Sequence, residues 1–181
     1  MTADYDAVVY DLDGTLVRLP VDWEAARSDA AAVLRSRGVD TADMGLWDVL
    51  EAARPNGALA EISDAIATHE RRGAESATRL PLADELPQPV PVAVCSLNCE
   101  AACHIALERH DLDGYVGAVV GRDSVDTYKP DPAPLRAAVS AVDAAPERSL
   151  FIGDSDRDRE AAERAGLDFQ WTAQRLTDRS T

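Results

Sequence analysis

Four aspartates, one serine and one lysine stand at places where a folded chain could gather them around a phosphate. Asp11 and Asp13 precede Gly14 in Tyr10-Asp11-Leu12-Asp13-Gly14-Thr15, a glycine that allows a sharp turn. Ser96 ends Val94-Cys95-Ser96, and Lys129 sits in Tyr128-Lys129-Pro130-Asp131-Pro132. Asp154 and Asp158 belong to Gly153-Asp154-Ser155-Asp156-Arg157-Asp158. An oxygen-rich, thiol-free set of this kind suits magnesium over zinc. Taken singly these residues mean little: the chain has 22 aspartates, and a serine after a strand is commonly a helix cap. Lys129 is different. It is the one lysine among 18 basic residues, and Arg cannot always substitute for a compact ammonium that contacts phosphate.

These residues share a position: each follows a short apolar run. Ala7–Tyr10, Val90–Cys95, Val116–Val120, Leu150–Ile152 and Phe169–Trp171 lack the alternation of a half-exposed strand. They read as strands of a parallel sheet covered on both faces. Pro91 sets the second strand to begin just after it. Helical patterns fall between them at roughly 98–109, 132–142 and 157–165, with Pro132 and Pro134 acceptable in a first turn. The expectation is an α/β fold, a doubly wound parallel sheet with a Rossmann-like core. Ligands in such sheets bind at the carboxyl ends of the strands, where all six residues fall.

Residues 18–80 carry helical signals and no strand signal. Trp23, Ala26, Ala30, Val33 and Leu34 mark one amphipathic helix with Asp22 as its cap. Leu46, Trp47, Val49 and Leu50 mark a second, ended by Arg54-Pro55-Asn56-Gly57, and Leu59, Ile62 and Ile66 a third that stops near Gly73. A linker of low periodicity, Gly73 to Pro91, returns to the sheet. The predicted organisation is an α/β catalytic core, 1–17 and 82–181, with a small helical cap over 18–81 inserted after the first strand.

The chain has 181 residues, of which 46% are hydrophobic, enough for one packed domain with a small accessory module. Thirty-three acids against 18 bases give a formal net charge of -15, which repels nucleic acid and anionic membrane. No apolar run approaches the length of a membrane span, and the acidic N-terminus, Met1-Thr2-Ala3-Asp4-Tyr5-Asp6, is unlike a secretory signal. A cytoplasmic protein, monomer or homodimer, is expected. Acidic, nearly lysine-free composition is typical of salt-accumulating, halophilic microbes, whose salt screens self-repulsion; GC-rich coding, which also favours Arg, is the alternative. Cys95, Cys99 and Cys103 lack a second ligand pair and read as packing residues. His69, His104 and His110 belong to no motif and are assigned no role.

Together the motifs resemble those of the haloacid dehalogenase superfamily, in particular its phosphoglycolate-phosphatase-like branch. Val8-Val9-Tyr10-Asp11-Leu12-Asp13-Gly14-Thr15-Leu16 resembles the first motif of that family, Val94-Cys95-Ser96 the second, Lys129-Pro130-Asp131-Pro132 the third and Ile152 to Asp158 the fourth. The resemblance implies a magnesium-dependent phosphatase in which Asp11 is the nucleophile and Asp13 the general acid and base. Ser96, the backbone N–H of Leu97 and Lys129 would hold the phosphoryl group. Asp11, the carbonyl of Asp13, Asp154 and Asp158 would hold the metal. Two departures are visible: Leu97 stands where a small or amide residue is usual, and the insert is shorter than the usual cap, with the helix before the second strand curtailed around Leu80–Leu86.

Electrostatics supply an independent reason for the metal. A carboxylate attacking a phosphate dianion meets like charge, at roughly 4 kcal/mol per unit pair at ~4 Å. Magnesium and Lys129 would offset this. Asp13 would need a raised pKa to donate a proton, with Asp11, Asp154 and the substrate phosphate as the expected cause. The expected partner is a small phosphorylated substrate, phosphoglycolate-like or a sugar phosphate. A phosphomutase of the same superfamily and a non-catalytic phosphate-binding module are the alternatives, whereas a dehalogenase would lack the second acid at Asp13.

Overall fold

A computed structural model describes residues 5–179; the ends of the expected core, 1–4 and 180–181, lie outside the described residues. In chain order, β1 (Ala7–Tyr10) leads to a two-residue strand β2 (Val17–Arg18), then to α1 (Trp23–Arg35), α2 (Leu46–Ala53) and α3 (Leu59–Ala74). The strand β3 (Thr78–Arg79) and a 3-10 turn at Pro81–Glu85 bring the chain back to β4 (Val92–Cys95). There follow α4 (Glu100–Arg109), β5 (Ala118–Val120), α5 (Ala133–Ala141), β6 (Ser149–Gly153), α6 (Asp156–Ala165), β7 (Asp168–Trp171) and α7 (Thr172–Arg179).

The main sheet has five parallel strands in the order β5-β4-β1-β6-β7, the α/β doubly wound architecture expected. Alternate residues of each strand enter opposite cores. Val8, Tyr10, Val94 and Ile152 face the layer containing Ala102, Ala106 and Leu107 of α4. Val9, Cys95, Val120 and Phe151 face Leu135 and Val139 of α5 and Ala161 and Ala162 of α6. Burial on both faces is why the strands read as unbroken apolar runs. Register then decides the site: Tyr10 lies opposite both Val94 and Ile152, so Asp11, Ser96 and Asp154 leave the sheet at one edge.

The three helices after β2 have a core of their own, in which Ala30 and Leu34 of α1, Val49 and Leu50 of α2 and Ile62 and Ile66 of α3 pack together. Asp22 caps α1 as expected, accepting the Ala25 N–H at 3.0 Å. Ala67 and Ala74, on the other side of α3, join the sheet's core beside α4. The sequence offered no strand signal here, and the structure corrects that. β2 and β3 pair antiparallel, Val17 with Arg79 and Arg18 with Thr78, forming a ribbon at the neck of the helical block. Two residues per strand are too few to carry a period. The stretch from Gly73 to Pro91, read as a linker, contains the end of α3, β3 and the 3-10 turn, and α7 was not anticipated. Among the described residues no helix is long and apolar enough to cross a membrane.

Candidate active site

At the carboxyl edge of the sheet lies a cavity of about 180 Å³ bordered by Asp11, Asp13, Ser96, Leu97, Lys129, Asp154 and Asp158. The structure thus brings together every site residue expected from the sequence. Asp11 follows β1, its N–H donating to the Ile152 carbonyl at 2.9 Å, and the residue is only 6% exposed. Leu12 then begins a tight turn whose carbonyl accepts from Leu16 and Val17. Gly14 holds φ +92°, and a Cβ there would lie 2.0 Å from Asp154 Oδ2. Both facts demand glycine: the turn brings backbone against the carboxylate.

Lys129 is 1% exposed. Its Nζ donates to Asp11 Oδ1 at 2.8 Å, to Asp158 Oδ1 at 2.5 Å and to the Cys95 carbonyl at 2.9 Å. Asp158 is fixed at the start of α6 by a capping box: Ser155 N–H and Oγ–H donate to Asp158 Oδ2 at 3.1 and 2.6 Å, and Ser155 Oγ accepts the Asp158 N–H at 3.2 Å. Ser96 Oγ donates to Asn98 Oδ1 at 3.2 Å and accepts the Asn98 N–H at 3.1 Å. Leu97 is half-buried at the cavity wall.

One carboxylate oxygen from each of Asp11, Asp154 and Asp158 lies within 4.8 Å of the others. Three carboxylates against one ammonium leave this cluster negative, and its donors are all oxygen. That chemistry fits a hard divalent cation such as magnesium. The electrostatics carry the mark of the imbalance. Burial pushes Asp11 up to about 7, opposed by Lys129 and assisted by Asp158. Asp154, at the exposed rim, is raised by desolvation and then by Asp158. Burial alone would lower the Lys129 pKa, but Asp11 and Asp158 outweigh it and keep the ammonium charged. Asp13 is raised by burial, against the Leu19 N–H that donates to its Oδ1 at 3.0 Å and the charge of Arg18. Without substrate, the largest cause of this shift is removal from water and not the neighbouring acids Asp11 and Asp154.

Several cavity residues escaped the sequence. Trp47, read as a packing residue of α2, borders the cavity; the Arg157 guanidinium stacks on its ring at 4.3 Å, and the Tyr128 ring lies 5.6 Å away. Trp23, read as part of the apolar stripe of α1, is 40% exposed and borders the same cavity. Arg122 and Glu70 form a buried ion pair at 2.8 Å on its wall. Glu70 had a signal: it lies four residues after Ile66 on the buried face of α3, where an unpaired acid has no place. The three cysteines are buried free thiols, and His69 pairs with Asp29 at 2.8 Å, away from the cavity.

Residues 84–172 match the family of haloacid dehalogenase-like hydrolases. A phosphoglycolate phosphatase of Cereibacter sphaeroides (strain ATCC 17025) is 34% identical over 185 residues, spanning 90% of this chain and 82% of that protein. A crystal structure of a candidate phosphoglycolate phosphatase from Lactobacillus plantarum superposes with a TM-score of 0.64 at 22% identity, over 98% of this chain and 92% of its own. That of a CbbY mutant from Rhodobacter sphaeroides, in complex with xylulose-(1,5)bisphosphate, gives 0.63 at 20% identity, over 92% and 85%.

Proposed function

The chain belongs to the haloacid dehalogenase-like hydrolases and is a phosphoric monoester hydrolase; from that premise we propose that it removes phosphate from a small phosphorylated metabolite through a phosphoryl-Asp11 intermediate. One observation carries the reading. The buried Asp11 carboxylate shares a single cavity with the Lys129 ammonium, two further metal-competent carboxylates and a second acid at Asp13.

In this mechanism Lys129, Ser96 Oγ–H and the Leu97 N–H hold the non-bridging phosphate oxygens. Asp11, Asp154 and Asp158, with the Asp13 carbonyl, would hold magnesium, which when bound supplies the positive charge that lets a carboxylate approach a phosphate dianion. A carboxylate oxygen of Asp11 attacks phosphorus, the bond from phosphorus to the ester oxygen breaks, and Asp13 gives that oxygen its proton. Asp13, now ionised, takes a proton from water as the water oxygen attacks phosphorus, and the Asp11–phosphorus bond breaks to release inorganic phosphate. A raised Asp13 pKa serves the first step by keeping more of the acid protonated. Residues 18–81 act as a cap on a core of 1–17 and 82–181, with Trp47 closing one flank against Arg157 and Tyr128.

Purified protein should release inorganic phosphate from 2-phosphoglycolate or a sugar phosphate only with magnesium, and Asp11→Asn should abolish release. Turnover that survives exhaustive chelation would sink the reading, and isomerised phosphate ester in place of free phosphate would identify a mutase.

A further inference from the structure

One wall of the cavity has no part in the mechanism above. Arg122 lies just beyond β5, and its side chain is 4% exposed while bordering the cavity. Its Nη2 donates to Glu70 Oε2 at 2.8 Å and its Nη1 to Ser63 Oγ at 3.0 Å, both partners on α3. Glu70 is held in turn by the Cys99 N–H, which donates to Oε2 at 3.0 Å. A buried pair of this kind is a poor source of stability, since packed apolar side chains commonly do as well. Its donors have another use. A guanidinium has five N–H groups in a fixed fork; among the described residues the bonds to Ser63 and Glu70 engage two, which leaves three donors on a side chain that borders the cavity. Asn98, also buried on this wall, has its Oδ1 occupied by Ser96 and keeps its amide N–H groups.

Apart from these donors the wall is apolar: Trp23, Leu46, Trp47, Leu50 and Ile66. Its one acid outside the metal cluster and Asp13 is Glu70, already neutralised by Arg122. The acceptors Glu70 Oε2 and Asn98 Oδ1 are already engaged, so the wall offers mainly donors, which suit an anionic leaving group over a polyhydroxylated one. A volume of about 180 Å³ is also below the ~300 Å³ at which pockets for larger ligands begin.

We propose that Arg122 determines substrate specificity by binding a carboxylate on the leaving-group side of a small phosphomonoester, its fork held in plane by Glu70. The proposal rests on the phosphatase reading and narrows its substrate to a short phosphorylated carboxylic acid. Arg–carboxylate pairs out of water are among the strongest polar contacts, and their directionality explains a guanidinium here where Lys129 serves the phosphate.

The test compares two esters, 2-phosphoglycolate and ethyl phosphate, which shares the short leaving group but lacks the carboxylate. The readout is the ratio of their kcat/KM values. Wild-type enzyme should favour phosphoglycolate, and Glu70→Gln, which retains the guanidinium, should keep that preference. Arg122→Gln, and the charge-balanced double variant Arg122→Gln/Glu70→Gln in case the single change unfolds the cap, should lower the ratio about ten- to a hundred-fold. Arg122→Lys should recover part of it. A purely structural ion pair would lower both activities together in all variants and leave the ratio unchanged, which would overturn the proposal. Hydrolysis of both esters without preference in the wild type would overturn it as well, while leaving the phosphatase reading intact. Inertness towards both esters, in enzyme that hydrolyses a sugar phosphate or an aryl phosphate with magnesium, would also overturn the proposal; inertness towards all four with magnesium would refute the phosphatase reading itself.

Discussion

Replacing Lys129 by methionine, similar in length and unbranched, removes one buried charge and little volume. The ammonium donates to Asp11 at 2.8 Å, to Asp158 at 2.5 Å and to the Cys95 carbonyl, so its loss leaves two buried carboxylates facing each other. Breaking a buried ion pair from one side costs about 3–5 kcal/mol. For a domain of this size each kcal/mol is worth about 2–4 °C, so in chelator the melting temperature should fall by about 6–20 °C. The fall should depend on pH. The folded-state pKa of Asp11 is raised by burial to about 7, above its unfolded value, so its contribution is fully present below the unfolded pKa, near 3.8, and is lost as pH rises through 7. Removing Lys129 pushes that pKa higher still. The loss of stability should therefore be smaller at pH 6, where Asp11 of the variant is protonated, than at pH 8.5. Saturating magnesium should restore part of it, about 2.7 kcal/mol at a hundred times its Kd. Thermal melts of both proteins at the two pH values, with and without magnesium, read this directly. A variant melting within about 2 °C of wild type in chelator at pH 8.5 would refute the coupling of Lys129 to the two carboxylates.

Asp13→Asn should still form the phosphoryl-enzyme from an aryl phosphate, whose leaving group needs little proton assistance, but should not hydrolyse it; intact-mass measurement should find an adduct of about 80 Da on Asp11, and full steady-state turnover of an alkyl phosphate would contradict the assigned role. Gly14→Ala places a Cβ 2.0 Å from Asp154 Oδ2 at φ +92°, so it should lose at least about 1 kcal/mol of stability and weaken magnesium binding by displacing Asp154, both measurable by titrating magnesium during thermal melts. Unchanged magnesium affinity in that variant would show that Asp154 takes no part in the metal site.

The sheet and its polar edge were legible in the sequence because both are local. A strand covered on two faces is a short apolar run, and residues that must reach its carboxyl end have to follow it directly, as Asp11, Ser96 and Asp154 do. The capping box around Asp158 is also contained in a few residues, and so is the turn that needs Gly14. The wall opposite those motifs was not legible. Arg122 meets Glu70 across 52 residues, and Trp47 meets Arg157 and Tyr128 from a different part of the chain; no period or spacing records such pairs. The β2–β3 ribbon was invisible for the opposite reason, being too short to carry a pattern. The cause of the raised Asp13 pKa also belongs to the fold, because desolvation depends on what packs around a carboxylate and not on how many acids neighbour it in sequence. Chemistry that follows a strand is written beside it, whereas the cavity wall that holds Trp47, Glu70 and Arg122 forms where the helical block meets the sheet, and only the folded chain brings those two surfaces into contact.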